Sequence, residues 1–256
     1  MTMQTEGLAG RRAVITGAGR GLGAALAIAL AEAGSSVVLC GRNPAGLSDT
    51  AAIIRERTGR EPRLVTLDLA DAAKVETAGR KLADSEDIDI LINNGAMWLE
   101  GRETAYSAEE VLGVVNAAVS GTFLLTQALL PAMRRSSCPD IVTIGSISGL
   151  PNAALQSVSV PFYAAKHAQA ALADGFRQML AGSPIRSIAV HPPYLDDMLP
   201  GDAEWQANTE RSKGNRGSNR DVVEAVIFAL TRPRHLTLAI TLDADDGGQF
   251  PQSSRG

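Results

Sequence analysis

Short apolar runs alternate along the chain with longer segments in which apolar residues recur at helical spacing. The runs predict strands at residues 13–16, 36–40, 63–67, 88–93, 140–146, 186–191 and 235–242. The segments between them predict helices at residues 24–33, 44–58, 71–85, 107–133, 161–180 and 221–231. Such alternation is typical of a parallel sheet covered by helices on both faces. We therefore predict one doubly wound α/β domain with about seven parallel strands over residues 1–256.

The alternation lapses between residues 192 and 219, where proline, glycine and polar residues dominate. A long irregular segment in a compact domain is typically a lid over a site or a flexible loop. We interpret residues 194–219 as a substrate lid, with a flexible surface loop as the alternative.

A glycine cluster follows the first predicted strand and precedes the first predicted helix. Its members are Gly17, Gly19, Gly21 and Gly23. Glycine allows the backbone to turn tightly and to approach a pyrophosphate, and a helix N-terminus offers free N–H groups to an anion. The spacing differs from the usual G-x-G-x-x-G, so a glycine-rich turn without a ligand remains the alternative.

This cluster and four downstream features together resemble the short-chain dehydrogenase/reductase family. The cluster reads Thr16-Gly17-x-x-x-Gly21-x-Gly23. The downstream features are Asp68, Asn93-Asn94, Ser146 and Lys166. The resemblance runs from about residue 8 to a closing turn at 246–248 and implies a Rossmann-type domain, a nicotinamide cofactor and catalytic Asn, Ser, Tyr and Lys. The expected cofactor-binding residues are Gly17, Gly19, Arg20, Gly21, Leu22, Gly23, Arg42, Asp68, Leu69, Asn94, Gly95, Lys166 and Pro192.

The residues after the second strand bear on the choice between NAD and NADP. Domains that bind NAD usually have a carboxylate there for the ribose hydroxyls, whereas this chain continues Gly41-Arg42-Asn43. A guanidinium suits a 2′-phosphate, and Arg20 is a second candidate. We expect NADP rather than NAD, with two solvated arginines as the alternative.

The expected catalytic tyrosine is displaced by one residue. In the family, Tyr precedes the Lys by four positions, and here that residue is Phe162, while Tyr163 precedes Lys166 by three. Residues three apart are neighbours on a helix, so we take Tyr163 as the candidate proton donor; loss of the acid is the alternative. The resemblance assigns the substrate oxygen to Ser146 and the nicotinamide ribose to Lys166.

Two further positions depart from the family pattern. Counted from Gly121, the expected asparagine is Ala118, and Asn116 lies roughly 200° around the helix, so we do not expect it to substitute directly. After the sixth strand the family has Pro-Gly, and this chain has Pro192-Pro193, followed by Tyr194 as a weaker substitute acid.

Composition and charge limit the classes of partner that we expect for this chain. A net charge of −4 argues against a broad nucleic-acid surface, and we identify no apolar run of membrane-spanning length. Cys40 and Cys138 provide neither a disulfide framework nor metal-ligand spacing, so we expect a cytoplasmic protein without a metal. The resemblance implies a homodimer or homotetramer paired through the helices at 107–134 and 161–181.

Together these features predict an NADP-dependent oxidoreductase that interconverts a carbonyl and a secondary alcohol of a small molecule. The alternative is an NADP(H)-binding protein of the same fold without dehydrogenase activity, motivated by Phe162 and Ala118. The substrate is not set by the sequence.

Overall fold

A parallel sheet of seven strands forms the centre of the protein, in a computed structural model that describes residues 6–155 and 157–246. The expected closing turn at residues 247–248 lies outside the described residues. Along the sheet the strand order is β3-β2-β1-β4-β5-β6-β9, with every neighbouring pair parallel. These strands are β1 (Arg12–Thr16), β2 (Ser36–Gly41), β3 (Arg63–Thr66), β4 (Ile90–Asn93), β5 (Asp140–Ile144), β6 (Arg186–His191) and β9 (Ala239–Thr241).

Helices cover both faces of the sheet, as predicted. They are α1 (Gly21–Glu32), α2 (Pro44–Thr58), α3 (Ala72–Ser85), α4 (Ala108–Val115), α5 (Thr122–Arg135), α6 (Val160–Met179), α7 (Ala203–Ala207) and α8 (Asn219–Thr231). One core cluster joins the sheet to α1, α2 and α8, and a second joins it to α3, α5 and α6. The doubly wound architecture is therefore confirmed.

The strand order reverses beside β1, which pairs with β2 on one side and with β4 on the other. At such a switch point, the loops leaving two adjacent strands turn to opposite faces and open a crevice at the carboxyl edge of the sheet. The turn after β1 and the loop after β4 therefore lie on the two sides of this crevice.

Local sequence signals account for most helix starts. The side chains of Asn43 and Asp71 accept backbone N–H groups at the starts of α2 and α3. Ser107 and Glu110 form the predicted capping box of α4. The helix that we expected to begin at Pro161 begins one residue earlier, because Ser159 caps α6.

The helix predicted at 107–133 is divided into α4, a π-helical segment (Asn116–Gly121) and α5. Our expectation of no apolar run of membrane-spanning length was wrong: among the described residues, the stretch Ala108–Arg135 has the length and hydropathy of a membrane span. In this fold it packs against α3 and α6 as a core helix. A Cβ on Gly121 would lie 2.0 Å from the carbonyl oxygen of Leu69, so the π-helical segment contacts the loop after β3 directly.

The segment at 192–219 contains more structure than its composition indicates. The two short strands β7 (Leu195–Asp196) and β8 (Gly217–Ser218) pair in parallel, and α7 lies between them. Trp205 of α7 is buried in the core cluster that includes α1 and α8. The last strand is shorter than the predicted 235–242, because Leu236 N–H closes a turn onto Pro233.

A buried ion cluster lies at the opposite edge of the sheet. Asp140, the first residue of β5, is fully buried and accepts hydrogen bonds from three arginines. Its carboxylate lies 2.7 Å from Arg11 Nη2, 2.6 Å from Arg186 Nε and 3.1 Å from Arg234 Nη1. This cluster joins four separate parts of the chain at the amino ends of the strands.

Candidate active site

The turn after β1 lies against the N-terminus of α1. Gly17 and Gly21 have φ of +69° and +55°, a region that disfavours every residue with a Cβ. A Cβ on Gly23 would lie only 2.1 Å from the carbonyl oxygen of Gly17. In the part of the chain that the structure describes, no side chain caps α1 and its first turn contains no acidic residue. Its first N–H groups are therefore free to bind an anion.

A cleft of about 810 Å³ opens beside this turn, at the carboxyl ends of β1 to β4. Eleven of the thirteen predicted cofactor-binding residues line it: Gly17, Gly19, Arg20, Gly21, Leu22, Gly23, Arg42, Asp68, Leu69, Asn94 and Gly95. Lys166 and Pro192 are buried and do not line the cleft.

Thr16 fixes the far wall of the cleft. Its hydroxyl oxygen accepts hydrogen bonds from the backbone N–H groups of Asn94 (3.0 Å) and Gly95 (2.8 Å), and the Asn94 side chain donates back to the Thr16 carbonyl. A Cβ on Gly95 would lie 2.6 Å from Leu69 Cδ1. The loop after β4 is thus held directly against β1, which keeps the crevice narrow.

The end of the cleft beside β2 is lined by Arg20, Arg42 and Asn43. Both guanidinium side chains are exposed, and Arg42 Nη1 lies 3.5 Å from Met97 Sδ. Asp68, after β3, accepts the N–H of Ala70 and so shapes its own turn while facing the cleft. The positive charge at this end suits an anionic group.

Asp197 is a cleft residue that sequence reasoning missed. Its Oδ1 lies 3.3 Å from the position that a Cβ on Gly21 would take, and it accepts a hydrogen bond of 3.1 Å from Asn219 Nδ2. A carboxylate therefore lies beside the free N-terminus of α1. The available signal was the pair Asp196-Asp197 in the segment that we interpreted only as a lid.

Lys166 is buried on α6, and its ammonium group faces the end of β5. Nζ donates to Gln169 Oε1 at 2.8 Å and to the carbonyls of Gly145 at 3.2 Å and Ile144 at 3.4 Å. Burial lowers the pKa of Lys166 to about 8. Nζ lies 5.7 Å from the centre of the Phe162 ring, so the ring beside this cation is that of Phe162.

Ser146 lies two residues after β5 and is half-buried. Its hydroxyl oxygen accepts the N–H of Ser148 at 3.1 Å, which leaves the hydroxyl proton available to another oxygen. The serine therefore has the geometry of a hydrogen-bond donor at the carboxyl edge of the sheet.

Tyr163 lies on the other side of the first turn of α6. Its hydroxyl donates to the carbonyl of Ala153 at 2.7 Å, and its ring centre lies 4.3 Å from that of His167. The Tyr163 hydroxyl and the Lys166 ammonium thus bind different partners in this structure. The proposed proton transfer from Tyr163 stays a prediction.

A profile of the family described as short chain dehydrogenase matches residues 11–206, well over half of the chain. The chain belongs to the short-chain dehydrogenase family. It is accordingly an oxidoreductase with a Rossmann-type domain.

Relatives of this short-chain dehydrogenase agree with that assignment. An uncharacterized oxidoreductase of Staphylococcus saprophyticus is 30% identical over 227 residues, covering 88% of this chain and 93% of its own. A structure provisionally named NAD(P)-dependent gluconate 5-dehydrogenase, from Beutenbergia cavernae with NADP at low occupancy, is 26% identical with a TM-score of 0.79, covering 93% and 97%. L-sorbose reductase from Gluconobacter frateurii, in complex with NADPH and L-sorbose, shares the fold at 20% identity with a TM-score of 0.80, covering 98% and 100%.

The two altered positions of this short-chain dehydrogenase lie in one apolar cluster. Phe162 and Ala118 stand where we expected the family's tyrosine and asparagine. They are buried together with Leu99, Val114, Val158 and Ala165. Both departures therefore lie in the same apolar surroundings, and neither side chain carries an exchangeable proton.

The histidines fall into ordinary structural positions. His191 ends β6, and burial lowers its pKa. His167 Nδ1 donates a hydrogen bond to the Tyr163 carbonyl at 3.1 Å. Among the described residues, no group of three or more His, Cys, Asp or Glu side chains could hold a metal ion.

Proposed function

We propose that the protein is an NADP-dependent oxidoreductase that interconverts a carbonyl group and a secondary alcohol. The observation that carries this proposal is the uncapped N-terminus of α1 beneath the glycine turn, at the switch point of the sheet. The residues that follow β2 in the same cleft, Arg42 and Asn43, include no carboxylate, and Arg20 lines the cleft as a second cation.

The residues present fit a nicotinamide dinucleotide. The N–H groups of α1 would hold the pyrophosphate, Arg42 and Arg20 would hold a 2′-phosphate, and Asp68 would contact the adenine. Lys166 and Pro192 would border the nicotinamide half. When bound, such a cofactor supplies the hydride chemistry. NADP in the Beutenbergia cavernae relative supports this choice.

Ser146 and Tyr163 are our candidates for the substrate oxygen. The Ser146 hydroxyl would donate a hydrogen bond to that oxygen. A free phenol titrates near pH ~10, so Tyr163 needs a cation close by to exchange a proton at neutral pH. To reach Lys166, the Tyr163 hydroxyl must leave Ala153, and a rotation within the first turn of α6 would allow this.

A second function is favoured by one specific observation. At the two positions where the resemblance implies side chains with exchangeable protons, this chain has Phe162 and Ala118, which lie in an apolar cluster. A protein that binds NADP(H) without reducing a substrate would fit this arrangement.

Two measurements separate these functions. Thermal unfolding with NADP(H) and NAD(H) tests cofactor binding, because a ligand of the native state raises the unfolding temperature. NADPH oxidation is then followed with ketones, diketones and quinones, using wild type, Tyr163→Phe and Phe162→Tyr. We expect wild type to oxidise NADPH with at least one of these substrates, and we expect Tyr163→Phe to abolish this turnover.

The other outcomes are equally informative. Turnover that survives in Tyr163→Phe would move the proton donor to Tyr194, Ser146 or water. Binding without any turnover in wild type, but with turnover in Phe162→Tyr, would support the second function. The absence of any thermal shift would refute both.

We further propose that two copies pair through the helices α4 to α6. The large apolar side chains of Leu112, Phe123 and Met179 on these helices are exposed. A cavity of about 300 Å³ between α5 and α6 is lined mainly by apolar groups, Phe176 among them. Light scattering after size-exclusion chromatography should give at least a dimer, and charged substitutions at Phe123 should give monomers.

A further inference from the structure

Three aromatic rings from distant parts of the chain meet beside Lys166. Trp98 follows β4, Phe162 opens α6 and Tyr194 follows β6. The Trp98 ring centre lies 4.9 Å from that of Phe162, at 62°, and 5.9 Å from that of Tyr194, at 75°. Both pairs have the edge-to-face geometry that aromatic rings prefer. We call these three residues the aromatic triad.

The aromatic triad offers a large apolar surface to solvent. Trp98 is 49% exposed and Tyr194 is 43% exposed, while Phe162 forms their buried base. The chain has only two tryptophans and three tyrosines, and the second tryptophan, Trp205, is buried. Half-exposed rings forgo hydrophobic stabilisation, and contiguous exposed apolar surface commonly marks a binding site.

The position of the triad ties it to the reaction site. Trp98 lines the cleft that we assign to the cofactor, and Phe162 lies 5.7 Å from Lys166 Nζ. A ring held against Trp98 would therefore lie close to both the cofactor cleft and Lys166.

The charges around the triad favour a neutral ligand. The guanidinium of Arg216 lies 4.9 Å above the Tyr194 ring, but its Nε already donates to Asp246 at 2.9 Å. This ion pair compensates the guanidinium over Tyr194, so an anionic or sugar-like substrate gains little from it. A flat apolar ring gains stacking contacts.

We propose that the substrate is a neutral ketone whose carbonyl is attached to an aromatic ring, and that the ring binds against Trp98 and Tyr194. This inference names a substrate class for the proposed oxidoreductase function. It rests on that function for the reduction of the ketone, but not for the binding of the ketone.

The test compares two ketones that differ in the ring alone: acetophenone, which is flat, and cyclohexyl methyl ketone, which is saturated. Their dissociation constants are measured by calorimetry with saturating NADP⁺, which permits binding without reduction of the ketone. We expect acetophenone to bind about tenfold more tightly to wild type. Trp98→Leu, which keeps an apolar side chain, should remove that preference.

The matched control is Phe228→Leu, which removes an aromatic side chain of equal exposure on α8; it should leave the preference unchanged. Equal affinity for both ketones, no binding of either, or an unchanged preference in Trp98→Leu would overturn the inference. A Trp98-dependent preference without reduction by NADPH would instead refute the proposed function and leave this inference standing. Reduction of both ketones without a preference would refute this inference and leave the proposed function standing.

Discussion

Replacement of Asp197 by asparagine should tighten the binding of NADPH. The Asp197 carboxylate lies beside Gly21, at the N-terminus of α1 where we place the pyrophosphate. Two like charges about 4 Å apart repel by about 1 kcal/mol in water and by about 4 kcal/mol at an effective dielectric constant of 20. Since Asp197 is exposed, solvent screens this repulsion, and we expect a gain near the lower value. Asparagine has nearly the same shape and retains an oxygen that accepts from Asn219.

A gain of about 1 to 2 kcal/mol corresponds to roughly 5- to 30-fold tighter binding. The dissociation constant of NADPH is measured from its fluorescence at low and at high salt. The difference between variant and wild type should shrink at high salt, because the Debye length falls to about 3 Å at 1 M.

Asp196→Asn is the matched control. Asp196 is adjacent in the sequence, but its carboxylate pairs with Arg211 at 2.9 Å instead of facing the cleft. Both variants change the net charge by one unit, so an effect common to both reflects the overall charge. Equal or weaker NADPH binding by Asp197→Asn would refute the assigned position of the pyrophosphate.

Three further predictions follow from the buried groups. Asp140→Asn leaves the buried cations of Arg11 and Arg186 uncompensated and should lower the free energy of unfolding by about 3 to 5 kcal/mol, measured with urea. Gly23→Ala forces a Cβ against the backbone of the glycine turn and should abolish the thermal shift by NADP(H). Lys166 binds its proton less tightly in the folded chain, with a pKa of about 8 against 10.5. Wild type should therefore gain stability relative to Lys166→Met as the pH rises from about 8 towards 10.5, by up to about 3 kcal/mol.

Each of these predictions has a contrary result. A loss below about 1 kcal/mol in Asp140→Asn would be typical of a surface ion pair and would contradict the buried cluster. An undiminished shift in Gly23→Ala would contradict the close approach of the turn. A stability difference between wild type and Lys166→Met that does not change with pH would contradict the burial of the ammonium group.

Local signals made much of the fold predictable. The predicted bounds of α2 agree with the structure, because Asn43 caps its start and Gly59, with φ of +69°, ends it. The glycine turn was predictable because two of its glycines, Gly17 and Gly21, have a positive φ and a third, Gly23, has no room for a Cβ. The π-helical segment was not, since its composition is that of an ordinary helix.

Features that depend on contacts between residues far apart in the chain could not be predicted from the sequence. Strands β7 and β8 have two residues each and pair across more than twenty positions, which no periodicity reveals. The place of Asp197 beside Gly21 and the meeting of Trp98 with Tyr194 depend on how separate loops pack. Phe162 and Ala118 were recognised as departures, but their common apolar cluster became evident only in three dimensions.

The ion cluster around Asp140 also constrains the order in which the chain acquires its structure during synthesis. Its partners Arg186 and Arg234 follow 46 and 94 residues later. While the growing chain ends between residues 140 and 185, Arg11 is the one arginine of this cluster that has been synthesised to pair with Asp140. Because a carboxylate is stable in the core only with its partners, the strand that it begins acquires its native surroundings late. This side of the sheet is therefore completed only after Arg234 has been synthesised, and until then β5 is a segment for chaperones to protect.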